Sequence, residues 1–162
     1  MTTAREDQAS ALLNHVQRYQ AGRLTVFLGA APGVGKTYAM LSRAQELSRQ
    51  GVDITVGIVE THGRAETIAL TEGLKTLARK KILYKEQYFD EMDLDAILTL
   101  RPTIVLVDEL AHRNIPNSRH ERRWQDVNEL LDAGIDVFTT MNIQHLESLN
   151  DVVYQLSLIH IS

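Results

Sequence analysis

The 162-residue chain has no cysteine, three prolines, one tryptophan and only 6% aromatic residues. Without cysteine there is no disulfide, no zinc finger and no thiol nucleophile, a composition that suits a reducing cytosol. No apolar run approaches the ~20 residues that a membrane span requires, and Arg5, Glu6 and Asp7 interrupt any signal-peptide-like start. The expectation is a cytoplasmic piece that makes no membrane contact of its own. A formal net charge of −4 removes any global attraction to nucleic acid or anionic lipid, and no local basic patch dominates. The six histidines show no metal-ligand spacing such as HExxH, which argues against a zinc centre. Neither an internal repeat nor a low-complexity linker is visible. What remains, 44% hydrophobic and 23% charged residues, is the composition of one globular domain with a substantial core.

Against that background one segment stands out, Gly29-Ala30-Ala31-Pro32-Gly33-Val34-Gly35-Lys36-Thr37. It follows the apolar, β-branched run Leu24 to Leu28 and precedes Met40, Leu41, Ala44 and Leu47 at helical spacing. The order is strand, glycine-rich turn, helix. In that order backbone N–H groups near Gly33 and Gly35 can curl around a β-phosphate, and the helix N-terminus adds attraction for anions. Lys36 would then bridge the β- and γ-phosphates, with Thr37 holding Mg²⁺. The strict GxxxxGK(S/T) pattern opens on glycine, whereas Ala30 stands here with Gly29 one place earlier. Alanine serves at that strand end so long as its φ stays negative.

Elsewhere the chain alternates strand and helix signals. Thr3 to Glu6 resembles a capping box, and Ala9, Leu12, Leu13, Val16 and Tyr19 mark one face of a helical arm within residues 1–22. Strands are expected at Ile54 to Val59, Ile82 to Tyr84, Thr103 to Val107 and Ile135 to Thr140. Helices are expected from Arg64 to Leu74, from Leu94 to Leu100 before Pro102, around Trp124, Val127, Leu130 and Leu131, and from Ile143 to about Leu158. Lys75 to Asp93 gives the weakest signal. The pattern predicts an α/β domain over residues 23–155, a P-loop NTPase-like, mostly parallel sheet with helices on both faces in three layers. In such sheets ligands lie at the carboxyl ends of the strands, where Lys36 and Thr37, Glu60 to Arg64, Asp108 and Glu109, and Thr140 and Asn142 would converge.

Each of these residues has a chemical reading beside a plainer one. Asp108, closing an apolar strand, suits a carboxylate that reaches Mg²⁺ across from Thr37. Glu109 can orient and deprotonate a water or an acceptor hydroxyl, or it is a surface carboxylate paired with an arginine. Asn142 either faces the γ-phosphate or caps the helix that follows. Arg64 grips a phosphate or forms a structural salt bridge. Within Arg119-His120-Glu121-Arg122-Arg123, most simply a solvated helix start, an arginine could serve a neighbouring subunit's nucleotide. His112 and His145 read as hydrogen-bonding residues near the site or core.

Four segments together, Gly29 to Leu41, Val59 to Thr67, Val107 to Arg113 with Ser118 to Leu131, and Asn142 to Val153, resemble the N-terminal cytoplasmic domain of the KdpD family of bacterial potassium-responsive sensor histidine kinases. The resemblance implies ATP bound at Ala30, Ala31, Pro32, Gly33, Val34, Gly35, Lys36 and Thr37, and Asp108 in the second, aspartate-bearing nucleotide motif. It implies an inner-membrane two-component protein whose other domains pass a signal to a response regulator that controls a high-affinity potassium pump. Nothing here resembles the family's universal-stress-like domain, membrane helices or histidine-kinase core, so no histidine of this chain takes the phospho-accepting role. The resemblance stops near Gln155. Residues 156–162 look foreign, and with a further strand missing the sheet would be left with an open edge. Three functions follow: a regulatory ATP-binding module, an ATPase or protein Ser/Thr kinase with Glu109 as base and Lys36 stabilising charge, or a protein-interaction scaffold with a vestigial loop.

Overall fold

The computed structural model describes Gln8 and residues 21–30, 35–145 and 159–161. The expected arm within residues 1–22, the loop residues Ala31, Pro32, Gly33 and Val34, and the expected final helix beyond His145 therefore lie almost wholly outside the described residues.

Eight strands are described: β1 (Leu24–Gly29), β2 (Ile54–Ile58), β3 (Lys75–Thr76), β4 (Lys80–Tyr84), β5 (Gln87–Glu91), β6 (Ile104–Val107), β7 (Asp136–Asn142) and β8 (Ile159–Ile161). The helices are α1 (Gly35–Arg49), α2 (Ala65–Ala69), α3 (Leu94–Leu100) and α4 (Arg123–Asp132). Six strands form one sheet in the order β3-β2-β6-β7-β1-β8, every pairing parallel, while β4 and β5 make a separate antiparallel hairpin. The expected α/β class is what the chain adopts. Residues 159–161, from the segment expected to be foreign, pair with Leu24, Thr25 and Val26, so on this side the sheet ends on β8 rather than on β1.

Alternation along the strands explains the layering, because successive side chains of a strand point to opposite faces. Val105, Val107 and Val137 pack with Leu94 and Ile97 of α3 and Val127, Leu130 and Leu131 of α4. Ile104, Leu106 and Phe138 pack on the other side with Met40, Leu41 and Ala44 of α1. Both faces are thus covered by helices, giving three layers. Phe27 and Phe138 meet edge to face on the α1 side, ring centroids 5.5 Å apart.

One glycine is fixed by packing. At Gly57, where the β2–β6 register shifts, a Cβ would lie 3.0 Å from both Ile97 Cδ1 and Val105 Cγ2. The bare backbone lets α3 sit close to the sheet.

Two expectations change. The helix from Arg64 to Leu74 shortens to Ala65–Ala69, because the Gln45 amide donates to the carbonyls of Leu70 (2.7 Å) and Glu72 (2.8 Å) and holds that segment in turns. The short strand at Ile82 to Tyr84 is one arm of a hairpin with β5. Its tip, Lys85 and Glu86, takes φ of 48° and 64°, the two consecutive positive values of a tight hairpin turn.

Candidate functional site

The carboxyl edge of the sheet gathers the polar residues. β1 and β7 run in register so that Gly29 lies beside Asn142, and α1 opens at Gly35. No acidic residue occupies the first turn of this 15-residue helix, so its first N–H groups face no fixed negative charge of their own turn. Lys36 stacks back across the strand end, its Cδ 2.9 Å from where a Gly29 side chain would begin. The glycine leaves that path open.

Asp108 is the hub. Only 1% exposed, its carboxylate accepts from the Thr37 hydroxyl at 3.1 and 3.2 Å, from the Glu60 backbone N–H at 3.0 Å, and from the Thr140 hydroxyl at short range. Three segments distant in sequence therefore meet on one carboxylate. Charge-assisted bonds of this kind are about twice as strong as neutral ones, and they compensate for burying the aspartate. A paired hydroxyl and carboxylate is the hard-oxygen donor set that Mg²⁺ takes, so Thr37 and Asp108 fit that ion.

Glu109 follows in the left-handed region at φ 57°, a conformation that costs a non-glycine residue roughly 1–3 kcal/mol and persists only where its surroundings impose it. Its N–H donates to Thr140 Oγ1 at 2.9 Å, and its side chain is exposed. Together with Lys36, His112, Thr140, Asn142 and His145 it lines a cavity of about 230 Å³. Within this edge the buried Asn142 Oδ1 and Thr139 Oγ1 have no hydrogen-bond partner. An orphaned acceptor beside the cavity is the mark of a site built for a further polar group.

Most of the expected residues are brought together here: Gly35, Lys36, Thr37, Asp108, Glu109 and Asn142 share the edge, with Ala30 at the end of β1. Arg64 is exposed at the start of α2, its N–H on the Thr61 carbonyl at 3.1 Å, and does not line this cavity. Of the basic cluster Arg119 and Glu121 are exposed, as a solvated helix start would have them, and only Arg123 is buried. Arg119 is tied to Asp95 and Glu129 at 2.7 Å each, and Arg123 is 2% exposed. A buried Arg123 cannot reach a neighbouring subunit's nucleotide.

Beneath the edge lies a polar network with no counterpart in the expectations. Glu91, at the base of the hairpin, accepts from His112 Nε2 at 2.9 Å, from the Ile115 N–H at 3.2 Å and from Arg123 Nη2 at 3.4 Å. Burial alone would raise its pKa, but the hydrogen bond and charge of His112, the Arg123 guanidinium and the Ile115 N–H hold it below the ordinary value. Asp126 shows the opposite balance: burial raises it, and the Asn114 amide at 2.8 Å offsets only part of that. The Arg123 guanidinium is pulled down by burial against the charges of Glu91, Glu109, Asp108 and Asp126. A signal was present in the helical spacing, because Arg123 shares the buried stripe of Val127, Leu130 and Leu131.

Residues 20–162 match the family described as "KdpD: Osmosensitive K+ channel His kinase sensor domain". This chain belongs to that family. It is 59% identical over 142 residues to Sensor protein KdpD of Escherichia coli (strain K12), covering 88% of the chain and 16% of that relative. Sensor protein KdpD of Mycobacterium tuberculosis (strain ATCC 25618 / H37Rv) is 51% identical over 146 residues, 90% of the chain and 17% of the relative. A Putative sensor protein KdpD of Synechocystis sp. (strain ATCC 27184 / PCC 6803 / Kazusa) is 50% identical over 139 residues, 86% of the chain and 38% of the relative. The chain therefore spans about a sixth of the first two relatives' length. Among the described residues no helix is long and apolar enough to cross a membrane.

Proposed function

We propose that this KdpD sensor domain is an ATP-binding regulatory module of a potassium-responsive two-component sensor kinase. The observation that carries the reading is the Thr37 hydroxyl set on the Asp108 carboxylate, at the opening of a helix preceded in sequence by the phosphate-binding pattern. Lys36 and the first N–H groups of α1 would hold the phosphates, and Thr37 and Asp108 would hold Mg²⁺, which supplies charge neutralisation between the phosphate oxygens. Ala30 through Val34 would supply further backbone N–H groups to the phosphates, Asn142 offers its orphaned Oδ1 to the edge, and Arg64, exposed after β2, is a further candidate for a phosphate.

Occupancy matters because the same carboxylate holds the Glu60 N–H and the Thr140 hydroxyl. Any ligand that draws Asp108 and Thr37 towards itself loosens at once the segment after β2 and the carboxyl end of β7. A switch needs only different affinities for two such arrangements, read by the remaining domains and passed to a response regulator that controls potassium uptake. A second reading, an ATPase or a Ser/Thr kinase, is favoured by the exposed Glu109 lining one cavity with Lys36. There Glu109 takes the proton from a water or hydroxyl while Lys36 offsets charge on the phosphates.

Calorimetric titration of Mg·ATP, beside Lys36→Ala and with phosphate release followed on the same samples, separates the readings. Binding lost in Lys36→Ala without release supports the regulatory module. Release that Glu109→Gln abolishes makes the domain an enzyme, and no binding by the unaltered chain removes both.

A further inference from the structure

Asp108 is held from two sides. Its carboxylate faces Thr37 and Thr140, while its backbone carbonyl accepts from Arg123 Nη1 at 2.8 Å. The same arginine reaches Glu91 with Nη2 and donates its own backbone N–H to the His112 carbonyl at 3.0 Å. The His112 N–H in turn donates to the Glu109 carbonyl at 3.0 Å, and its ring nitrogen returns to Glu91. The path is a closed loop. It encircles the corner at which the chain leaves β6 and passes through the left-handed conformation of Glu109.

We infer that Arg123, anchored by Glu91 of the hairpin, is a positioning residue that fixes the Asp108–Glu109 corner and so ties the β4–β5 hairpin to the site. The inference rests on the nucleotide reading for its functional consequence, but the mechanical tie stands on the contacts alone. A guanidinium is needed, since two parallel N–H groups must serve a carbonyl on one strand end and a carboxylate on another. Lysine offers one ammonium point and cannot span both. Arg123 and Glu91 are 2% and 6% exposed, so no surface charge substitutes for either. Because Asp108 is read as the magnesium-side acid, a displaced corner weakens the part of nucleotide affinity that depends on the metal and spares the part that depends on Lys36 and α1.

The test uses the 162-residue chain with Arg123→Lys and the near-isosteric Glu91→Gln. Calorimetry with ATP is run in magnesium and again in EDTA. In both variants affinity in magnesium should fall about tenfold towards the EDTA value, the usual effect of removing a residue that orients a ligand, with EDTA affinity unchanged. Equal loss in both buffers would mean general damage and overturn the inference, as would no loss in either. Amide exchange is followed in the same samples. The N–H groups of Glu109, Leu110 and His112 should exchange at least roughly tenfold faster, while Ile104 to Val107 stay protected. Unchanged exchange at the corner, or loosening that spreads through β6, refutes the tie. If the unaltered chain binds no ATP, the nucleotide reading fails by itself, and the exchange result still decides the tie.

Discussion

The two sides of Asp108 are built differently. Its carboxylate side is assembled from Thr37 in the first turn of α1, Glu60 two residues past β2 and Thr140 near the carboxyl end of β7. Its carbonyl side is assembled from Arg123, Glu91 and His112, which come from a helix, a hairpin and a loop. The first side follows from topology, since a parallel sheet delivers its strand ends to one edge. Charge on the second side must instead be neutralised locally: four carboxylates surround one guanidinium that water barely reaches. Parallel topology makes a site available, and the buried network decides how firmly it is held.

The largest effect should come from breaking the carbonyl side outright. Arg123→Met leaves the Glu91 carboxylate buried without its guanidinium, and removing one partner of a buried pair costs roughly 3–5 kcal/mol. Urea unfolding should show a midpoint far below that of the unaltered chain; an unchanged midpoint would mean that Glu91 and Arg123 are energetically independent. Asp108→Ala attacks the carboxylate side. It strands the Thr37 and Thr140 hydroxyls and the Glu60 N–H, a loss of roughly 2–3 kcal/mol by the same measurement, together with any magnesium-dependent ATP binding. Should Asp108→Ala prove the costlier of the two, the strand-end cluster rather than the buried network is the stronger element.

Gly57→Ala sharpens the comparison from the scaffold. The new methyl meets Ile97 and Val105 at 3.0 Å, and overpacking of this kind costs roughly 1–3 kcal/mol. α3 lies against the same sheet face as α4, so thermal melting should fall while ATP affinity stays put. Loss of affinity would show that the site depends on α3 as well.

Legibility in the sequence divides along the same line. The strands at 24–29, 54–58, 104–107 and 136–142 are legible because burial on both faces demands unbroken apolar runs. The Thr37–Asp108 meeting is legible because strand-end placement and the phosphate-loop pattern agree. The hairpin is not: its turn is Lys85-Glu86, with neither the asparagine nor the glycine that usually marks positive φ, and β4 opens on two lysines. Arg123 is hidden for another reason. Its spacing from Val127, Leu130 and Leu131 marks the buried face, but an arginine in a run of charges looks solvated without the tertiary carboxylate, Glu91, that lies 3.4 Å away. Only the folded chain brings residues 91 and 123 together.

The smallest effect, and the most discriminating, is the dependence of stability on pH. Glu91 titrates below its ordinary value in the folded chain, so the unfolded chain binds more protons between the two values and stability rises with pH across that window. The stabilisation is complete above the unfolded value of about 4.3 and is lost as pH falls through the depressed folded value. Asp126, raised by burial, has the opposite sign: it favours the folded chain in acid, and that preference is lost as pH climbs through the raised value. The two carboxylates flank one arginine and partly cancel. Acid titration of unfolding free energy should therefore show a flatter acid limb in Glu91→Gln and a steeper one in Asp126→Asn, each by no more than about 1 kcal/mol between pH 3 and 6. Identical limbs in the two variants would place the acid sensitivity outside the network, and the carbonyl side of Asp108 would then owe its firmness to packing rather than to charge.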